Sequence, residues 1–522
     1  MKGESALEDF LFPKSKFPQR LGGMELLEPR IAPAAVFTYI DVDGDLVTVE
    51  TSKGTDQQLA GILSFSAASD KRKLELVDFS ANPFVFKGTH LTITAETAGG
   101  GNGLANIGRI SGVSHTGDHP FIDLGNLVID GDLGEIDAGD ENRKTPGIKS
   151  LTVTSFGVET PDTFTASGTS QIIGGAGKVV IAGDVDEGAD LRFDQIGSLQ
   201  IDGTLFGGLR VATKLGFAVI NKIDAEVSAS AFLVVGSTLP AVVGSVQIGS
   251  IVPNASAVGT VSLFGKVKSL SVESVVAELP LGCGVLIEGT VKSLTFGTLS
   301  RGSQPTAFPV AVLGNVGTLA LEQSDAGLLI VGNLGKATLA GMAGPGQLSI
   351  TKNLGSLKVS GNLAGTALQP IVIEAGGNIG SIDIVGNVSF ARIQAGSSVS
   401  DGGFVFSPDV RIGAVHVGGN WTASTLTAGV ENNLRVVNPG PDKLTIISAI
   451  KSIVIDGAVA GTGSMAEEFG FAAQQIGSMK IGDTVIPFVK GPANDLTVRL
   501  IEGTTNVIVH EVGFSWPNLT PG

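Results

Sequence analysis

Leu354-Gly355-Ser356-Leu357-Lys358-Val359-Ser360-Gly361 is one copy of a phrase that recurs through most of the chain. The phrase is an aliphatic residue, Gly or Lys, a small polar residue, apolar–x–apolar, and a Gly-containing turn. It stands at Ile196-Gly197-Ser198-Leu199-Gln200-Ile201-Asp202-Gly203 and at Val243-Gly244-Ser245-Val246-Gln247-Ile248. Further copies begin at Val258, Val267, Val291, Val316, Leu334, Ile379, Ile412, Ile450 and Ile476. Measured at the second residue, successive copies after Lys268 lie 24, 25, 18, 20, 25, 33, 38 and 26 residues apart. A period in this range marks a stacked repeat in which each unit buries its apolar face only against its neighbours.

Within each copy the apolar residues alternate with period 2, the mark of a strand with one buried face. Leu357 and Val359 face one way and Ser356 and Lys358 the other, and Ile382 and Ile384 alternate likewise around Asp383. Frequent Gly and β-branched residues, with no sustained 3.6 period, argue against helices. The Gly-Asn pairs at 314–315, 332–333, 361–362, 386–387 and 419–420 mark turns, on the expectation that both residues accept positive φ cheaply. The expected fold is all-β: a parallel β-helix (β-solenoid) with a small antiparallel β cap at its N-terminal end. About 15 rungs at about 4.8 Å would make a rod of roughly 70 Å. The chain divides into an N-terminal export or tail segment (1–35), a β cap unit (36–110), the solenoid (111–485) and C-terminal cap strands (486–522). Met465 to Gln475 reads as one short helix in a loop, and Leu496 to Val512 as two strands.

Composition narrows the function. The 522 residues carry 34 Lys+Arg and 50 Asp+Glu, a net charge of −16, which argues against nucleic acid or an anionic membrane as partner. Glycine supplies 74 residues, yet there are two Trp, one Tyr and one Cys, as a narrow, aliphatic-filled interior requires. Cys283 alone can form neither an internal disulfide nor a Cys-based zinc site. No transmembrane span is expected, because the longest uncharged stretch, Val227 to Gly265, is broken by Pro240, Pro253 and many Gly and Ser. The first 35 residues do not form a standard signal peptide, since Pro13, Lys14, Lys16, Pro18 and Arg20 interrupt the apolar residues.

Candidate sites are few. Asp41-Val42-Asp43-Gly44-Asp45 places three carboxylates at alternate positions, where Asp41, Asp43 and Asp45 can converge on a hard cation such as Ca2+. The same residues also read as a hairpin, with a turn at Asp43-Gly44 between two strands. Two further acidic groups, one from Asp130 to Glu141 and one from Asp184 to Asp190, read as solvated turns. His115 and His119 fall in a Gly- and Pro-containing surface loop that cannot form a zinc helix. Ala98-Gly99-Gly100-Gly101-Asn102-Gly103 lacks the Lys-Ser/Thr and helix of a phosphate cradle and reads as a flexible join. The outward column of the repeat runs Gln200, Gln247, Ser271, Thr295, Ala320, Thr338, Lys358, Asp383, His416, Val454 and Lys480. It offers neither the paired carboxylates nor the aromatic platforms of a sugar-cleaving cleft. No Gly-x-Ser-x-Gly elbow with partner His stands out. No catalytic residue is assigned.

Leu26-Leu27-Glu28-Pro29-Arg30-Ile31-Ala32-Pro33-Ala34 resembles the Leu-Glu-Pro-Arg segment near the N-terminus of large exported bacterial β-strand-repeat proteins of planctomycete–verrucomicrobial type. In that family the pattern continues with Leu-Leu after one residue, where this chain has Ala32-Pro33. Phe37-Thr38-Tyr39 leading into Asp41 to Asp45, Thr51-Ser52-Lys53-Gly54-Thr55, and Gly131 to Asp140 resemble the same proteins. The resemblance implies an extracellular or cell-surface location and a β-repeat architecture, and it implies no reaction. The expected role is structural or adhesive, toward envelope or extracellular surface components, polysaccharide among them, with no cofactor required. The alternative expectation is a carbohydrate-active β-helix enzyme with its site on loops.

Overall fold

A computed structural model describes residues 35–512 apart from 67–71, 114–120, 141, 158–168, 226–230, 237–239, 254–259, 277–283, 302–307, 401–402, 408, 431–447, 465–467, 496–498 and 505. The Leu-Glu-Pro-Arg segment, His115, His119 and Cys283 lie outside the described residues. The chain is nearly all β, with most of its strands paired in parallel.

The repeat phrase forms the strands expected of it, and each pairs with the next copy in register. Leu354–Val359 lies between Leu334–Leu339 and Ile379–Ile384, with Leu357 opposite Ala337 and Ile382. Followed strand by strand, the pairing carries one unbroken column from Val128 through Thr152, Val180, Gln200, Val219, Gln247 and Ser271. It continues through Thr295, Ala320, Thr338, Lys358, Asp383, His416 and Val454 to Lys480. The residues on either side of this column point inward. Ile201, Ile220, Ile248, Val272, Phe296, Leu321, Leu339, Val359, Ile384 and Val417 are aligned and buried. Each such side chain contributes roughly 1.5–3 kcal/mol by leaving water, so these columns supply most of the driving force.

A second parallel ladder runs beside the first, from Thr169–Ile172 to Val507–Glu511. In mid-chain a single long strand serves both ladders: Val261–Val276 pairs through 261–263 with Phe232–Val235 and through 265–275 with Ala241–Val252. The bend falls at Gly265 (φ +133°), and the next copy bends at Gly289 (φ +141°). From Met342 onward a third ladder of five two-residue strands joins them, ending at Val459–Ala460. Trp421 of this ladder is fully buried, its ring centroid 5.1 Å from that of Phe471, and its indole N–H donates to the Ser424 carbonyl at 3.0 Å.

The ends differ from the middle, as their sequences do. Ala35–Ile40 and Leu46–Thr51 form an antiparallel hairpin, and Leu91–Glu96 pairs antiparallel with the second of these. Leu91–Ile93 then pairs in parallel with Leu127–Ile129, which starts the first ladder. A short helix at Asp56–Ala60, opened by a Thr55/Gln58 capping box, lies between them. At the far end Arg499–Leu500 pairs antiparallel with Val507–Glu511. The helix expected over Met465 to Gln475 is not formed where the chain is described. Phe469–Ala473 is a strand of the second ladder, because its Gly-Phe-Ala-Ala run lies in register with Thr425–Ala428.

The Gly-Asn turns are present, but the reason expected for them is corrected. None of those ten residues has positive φ. The asparagines form ladders instead: Asn315 Oδ1 accepts the Asn333 N–H (2.8 Å), Asn333 Oδ1 the Asn353 N–H (3.2 Å), and Asn353 Oδ1 the Asn378 N–H (2.8 Å). Asn362, Asn387 and Asn420 repeat the arrangement at another corner, ending on the Ala458 N–H. The glycines are needed for close approach. A Cβ on Gly386 would lie 2.4 Å from both Asn362 Oδ1 and the Gly361 carbonyl, and one on Gly419 would meet Asn387 Oδ1 at 2.5 Å.

Two substitutions separate these effects. Asn387→Ala removes an acceptor at an exposed corner where water can substitute, and is expected to cost about 1 kcal/mol. Gly386→Ala forces the neighbouring backbone apart and is expected to cost more, about 2 kcal/mol or above. Urea unfolding of both variants checks the order, and an equal or inverted loss would contradict it.

Candidate functional site

The Asp41–Asp45 segment is the turn of the first hairpin: the Gly44 N–H donates to the Asp41 carbonyl (3.1 Å), the Asp41 N–H to the Asp45 carbonyl (2.9 Å), and Gly44 has φ +112°. Asp41 and Asp45 are fully buried, which costs free energy unless donors face them. Backbone amides do so. Asp41 accepts from the N–H of Val42 and Asn106, and Asp45 from the N–H of Ala98 (3.0 Å) and Gly103 (2.6 Å). Asp43 accepts from Asn102 at 3.3 Å. Burial, followed by the charges of Asp43 and Asp45, pushes the Asp41 carboxyl above its usual range, while the amides of Val42 and Asn106 oppose this.

The Gly-rich run at 98–103 is therefore not a loose join. It folds over the acidic turn and supplies its donors. A Cβ on Gly101 would sit 2.0 Å from Asp45 Oδ1, so only glycine lets the strap lie this close. Among the described residues, no group of three or more His, Cys, Asp and Glu side chains is placed to hold a metal ion.

The second acidic group reads from the sequence as solvated turns; Asp130 is exposed accordingly, but the reading is corrected at three of its carboxylates. Asp132, Glu135 and Asp137 are buried in the strand Leu124–Asp137, opposite Asn106, Arg109 and Ser111. Arg109 forms ion pairs with Asp137 and, at 3.6 Å, Glu135. Asp137 also accepts the Gln171 N–H at 2.9 Å, and Ser155 donates to Asp132. Burial raises the Asp132 carboxyl, and the Ser155 hydroxyl works against that rise. In the third group Asp184 is exposed as expected, and Asp190 pairs with Arg192 (2.6 Å) and Arg210 (3.4 Å).

The outward column is placed as expected, with Val219 inserted between Gln200 and Gln247. Gln247 and Thr295 of this column line a groove of about 770 Å3 whose wall also includes Asp202, Asn221, Glu273 and Glu322. The repeat phrase does not reveal these carboxylates, because they stand just beyond its apolar–x–apolar core, one residue past the inward position and outside the outward column. Glu273 and Glu322 belong to strands separated by one other, in which Gly297 leaves the wall open. Among the described residues, no aromatic ring lines this groove.

His416 lies further along the column. It was expected as a plain exposed strand residue, but its Nδ1 lies 3.0 Å from Asp383 Oδ1 and its Nε2 3.0 Å from Asp456 Oδ2. These partners, Asp383 first, raise the His416 pKa above its usual value. Because the raised pKa belongs to the folded state, the added stability is full below the unfolded value of about 6.5 and is lost as pH rises through the folded value. All three side chains are about half exposed, so the effect on stability is small and salt-sensitive.

Two measurements check these sites. Gly101→Ala is expected to destabilise the protein by about 2 kcal/mol or more through displacement of Asp45, whereas Gly100→Ala, with open space around it, meets only backbone strain. Proton NMR titration should place the His416 pKa above that of an unpaired histidine, and Asp383→Asn should lower it. An unshifted value in the parent would contradict the pairing.

Compared with protein-family models, with curated proteins and with solved structures, the chain matches none.

Proposed function

We propose that this chain is a parallel β-solenoid with a small antiparallel cap, exported to the cell surface or beyond, where it serves as a structural and adhesive module without a catalytic centre. The observation that carries this reading is the unbroken parallel register from Val128 to Lys480. A body of that kind buries its aliphatic columns in one interior and leaves long, regular polar faces outward, a geometry suited to extended contact with envelope components or polysaccharide. The net charge of −16 argues against nucleic acid as the partner. No described helix is long and apolar enough to cross a membrane. The Leu-Glu-Pro-Arg resemblance supports export.

In this reading the module requires no cofactor. Asp41 and Asp45 each have amide donors on both carboxylate oxygens, so calcium is expected to leave the melting temperature unchanged. A rise on calcium titration, lost in Asp43→Asn, would instead assign a cation to the hairpin turn.

A carbohydrate-active enzyme is the second reading. Glu273 and Glu322 favour it, because two strand spacings set their backbones about 10 Å apart along the groove, near the range for an acid–base pair acting on a glycosidic bond. Cell fractionation with surface proteolysis tests the first reading: the protein should appear outside the cell or protease-accessible, and wholly cytosolic protein would overturn it. Incubation with neutral and acidic polysaccharides should release no reducing or unsaturated sugars. Release abolished by Glu273→Gln or Glu322→Gln would establish the enzyme.

A further inference from the structure

The residue after each two-residue strand of the third ladder occupies one corner column: Gly344, Gly365, Phe390, Ala423 and Gly461. The first four make the same backbone contact, each N–H donating to a carbonyl of the next strand. With its present backbone, a Cβ on Gly344 would lie 1.9 Å from the Gln369 carbonyl, and one on Gly365 would lie 2.4 Å from the Phe390 carbonyl. This corner therefore favours glycine. Phe390 and Ala423 nevertheless carry side chains there, and they take φ +46° and +44°. Left-handed backbone is disfavoured for an L-residue, and strain retained at adjacent positions points to a use for the side chain or for the shape it creates.

Both strained residues border the same cavity of about 300 Å3. Phe390 and Phe469, each half-buried, supply two phenyl rings to its lining. Arg392 and Glu468 bring one guanidinium and one carboxylate to the same lining, with Thr366 and Pro370 at its edge. A guanidinium has five N–H donors, so Arg392 can serve a ligand alongside the contacts it already makes. Apolar rings with one charge of each sign suit a neutral ligand that has a C–H face and a rim of hydroxyls. An aliphatic ligand would make no use of the donors of Arg392 or the acceptor oxygens of Glu468, and an anion would meet the Glu468 carboxylate. The volume is at the small end of ligand sites, which are about 300–1,000 Å3, so it suits a single ring.

We propose that this corner cavity binds one pyranose unit of a neutral glycan, stacked on Phe390 and Phe469 and hydrogen-bonded through Arg392 and Glu468. The choice of a glycan rests on the surface-module reading, whereas the cavity and its strain do not depend on it.

The test is calorimetric titration of the full chain with hexasaccharides of β-1,4-glucose, β-1,3-glucose, β-1,4-xylose and N-acetylglucosamine, with oligogalacturonate as the acidic comparison. At least one neutral hexasaccharide should bind more tightly than oligogalacturonate. Phe390→Gly should weaken that binding tenfold or more while leaving the melting temperature equal or higher, because glycine relieves the left-handed strain. Phe469→Ala should weaken it similarly. Absence of binding by every neutral probe, preferred binding of oligogalacturonate, or undiminished affinity in Phe390→Gly would overturn the proposal. A fall of several degrees in Phe390→Gly would do so too, by making Phe390 a packing residue. A surface location without saccharide binding would overturn the cavity assignment alone, and a cytosolic location with binding would overturn the surface reading alone.

Discussion

Backbone pairing between successive copies, at one strand spacing and in one register, is the constraint to which the other features of this chain respond. With neighbouring copies about 4.8 Å apart, an inward position can be filled by an aliphatic side chain, and the aligned Ile, Val and Leu columns are the result. At corners the same spacing leaves no room for a Cβ, and Gly289, Gly314 and Gly332 stack against one another's backbones. Where a corner amide would otherwise have no partner, the Asn ladders supply one from the preceding copy. These contributions are unequal. Each buried aliphatic residue contributes roughly 1.5–3 kcal/mol and each corner hydrogen bond about 1 kcal/mol. The columns hold the body together, and the Gly and Asn corners fix its spacing.

The N-terminal unit meets a different demand, that of burying carboxylates. Asp41, Asp45, Asp132 and Asp137 are within the fold, and nearly every charge faces an amide, a hydroxyl or Arg109. Removing a donor there would leave a buried charge unpaired, which costs more than the hydrogen bond itself contributes. The Gly-rich strap and the acidic turn therefore depend on each other across more than fifty residues of sequence. On the outer faces the same acidic composition remains in water, as at Glu273, Glu322 and Asp184.

Much of this was legible in the sequence, for a physical reason. Period-2 alternation and the short phrase around Leu357 record strictly local rules, and they gave the strands, the outward column from Gln200 to Lys480, and the hairpin at Asp43-Gly44. Features that depend on which copies become neighbours were not legible. The glycines of the Gly-Asn pairs looked like positive-φ residues, but their role appears only when Gly361 and Gly386 are brought together. The contact between Gly101 and Asp45, and the burial of Glu135 beside Arg109, depend on pairings no local pattern encodes. The helix at Asp56–Ala60 did carry a local signal, Thr55 with Gln58, that a search for strands passes over. Phe390 shows its peculiarity only against the glycines of its column.

The most direct test of the proposed solenoid is a set of distances between spin labels placed in pairs along the outward column, with Cys283 replaced. Distance should follow the number of copies crossed and not the number of residues. Labels at Ala320 and Thr338 and labels at Asp383 and His416, each one copy apart, should give the same short separation despite sequence gaps of 18 and 33 residues. Labels at Gln247 and Thr338 should lie about 19 Å apart, and those at Gln247 and His416 about 34 Å apart. Separations that grew with sequence distance, or that failed to rise by one strand spacing per copy, would contradict the stacked register.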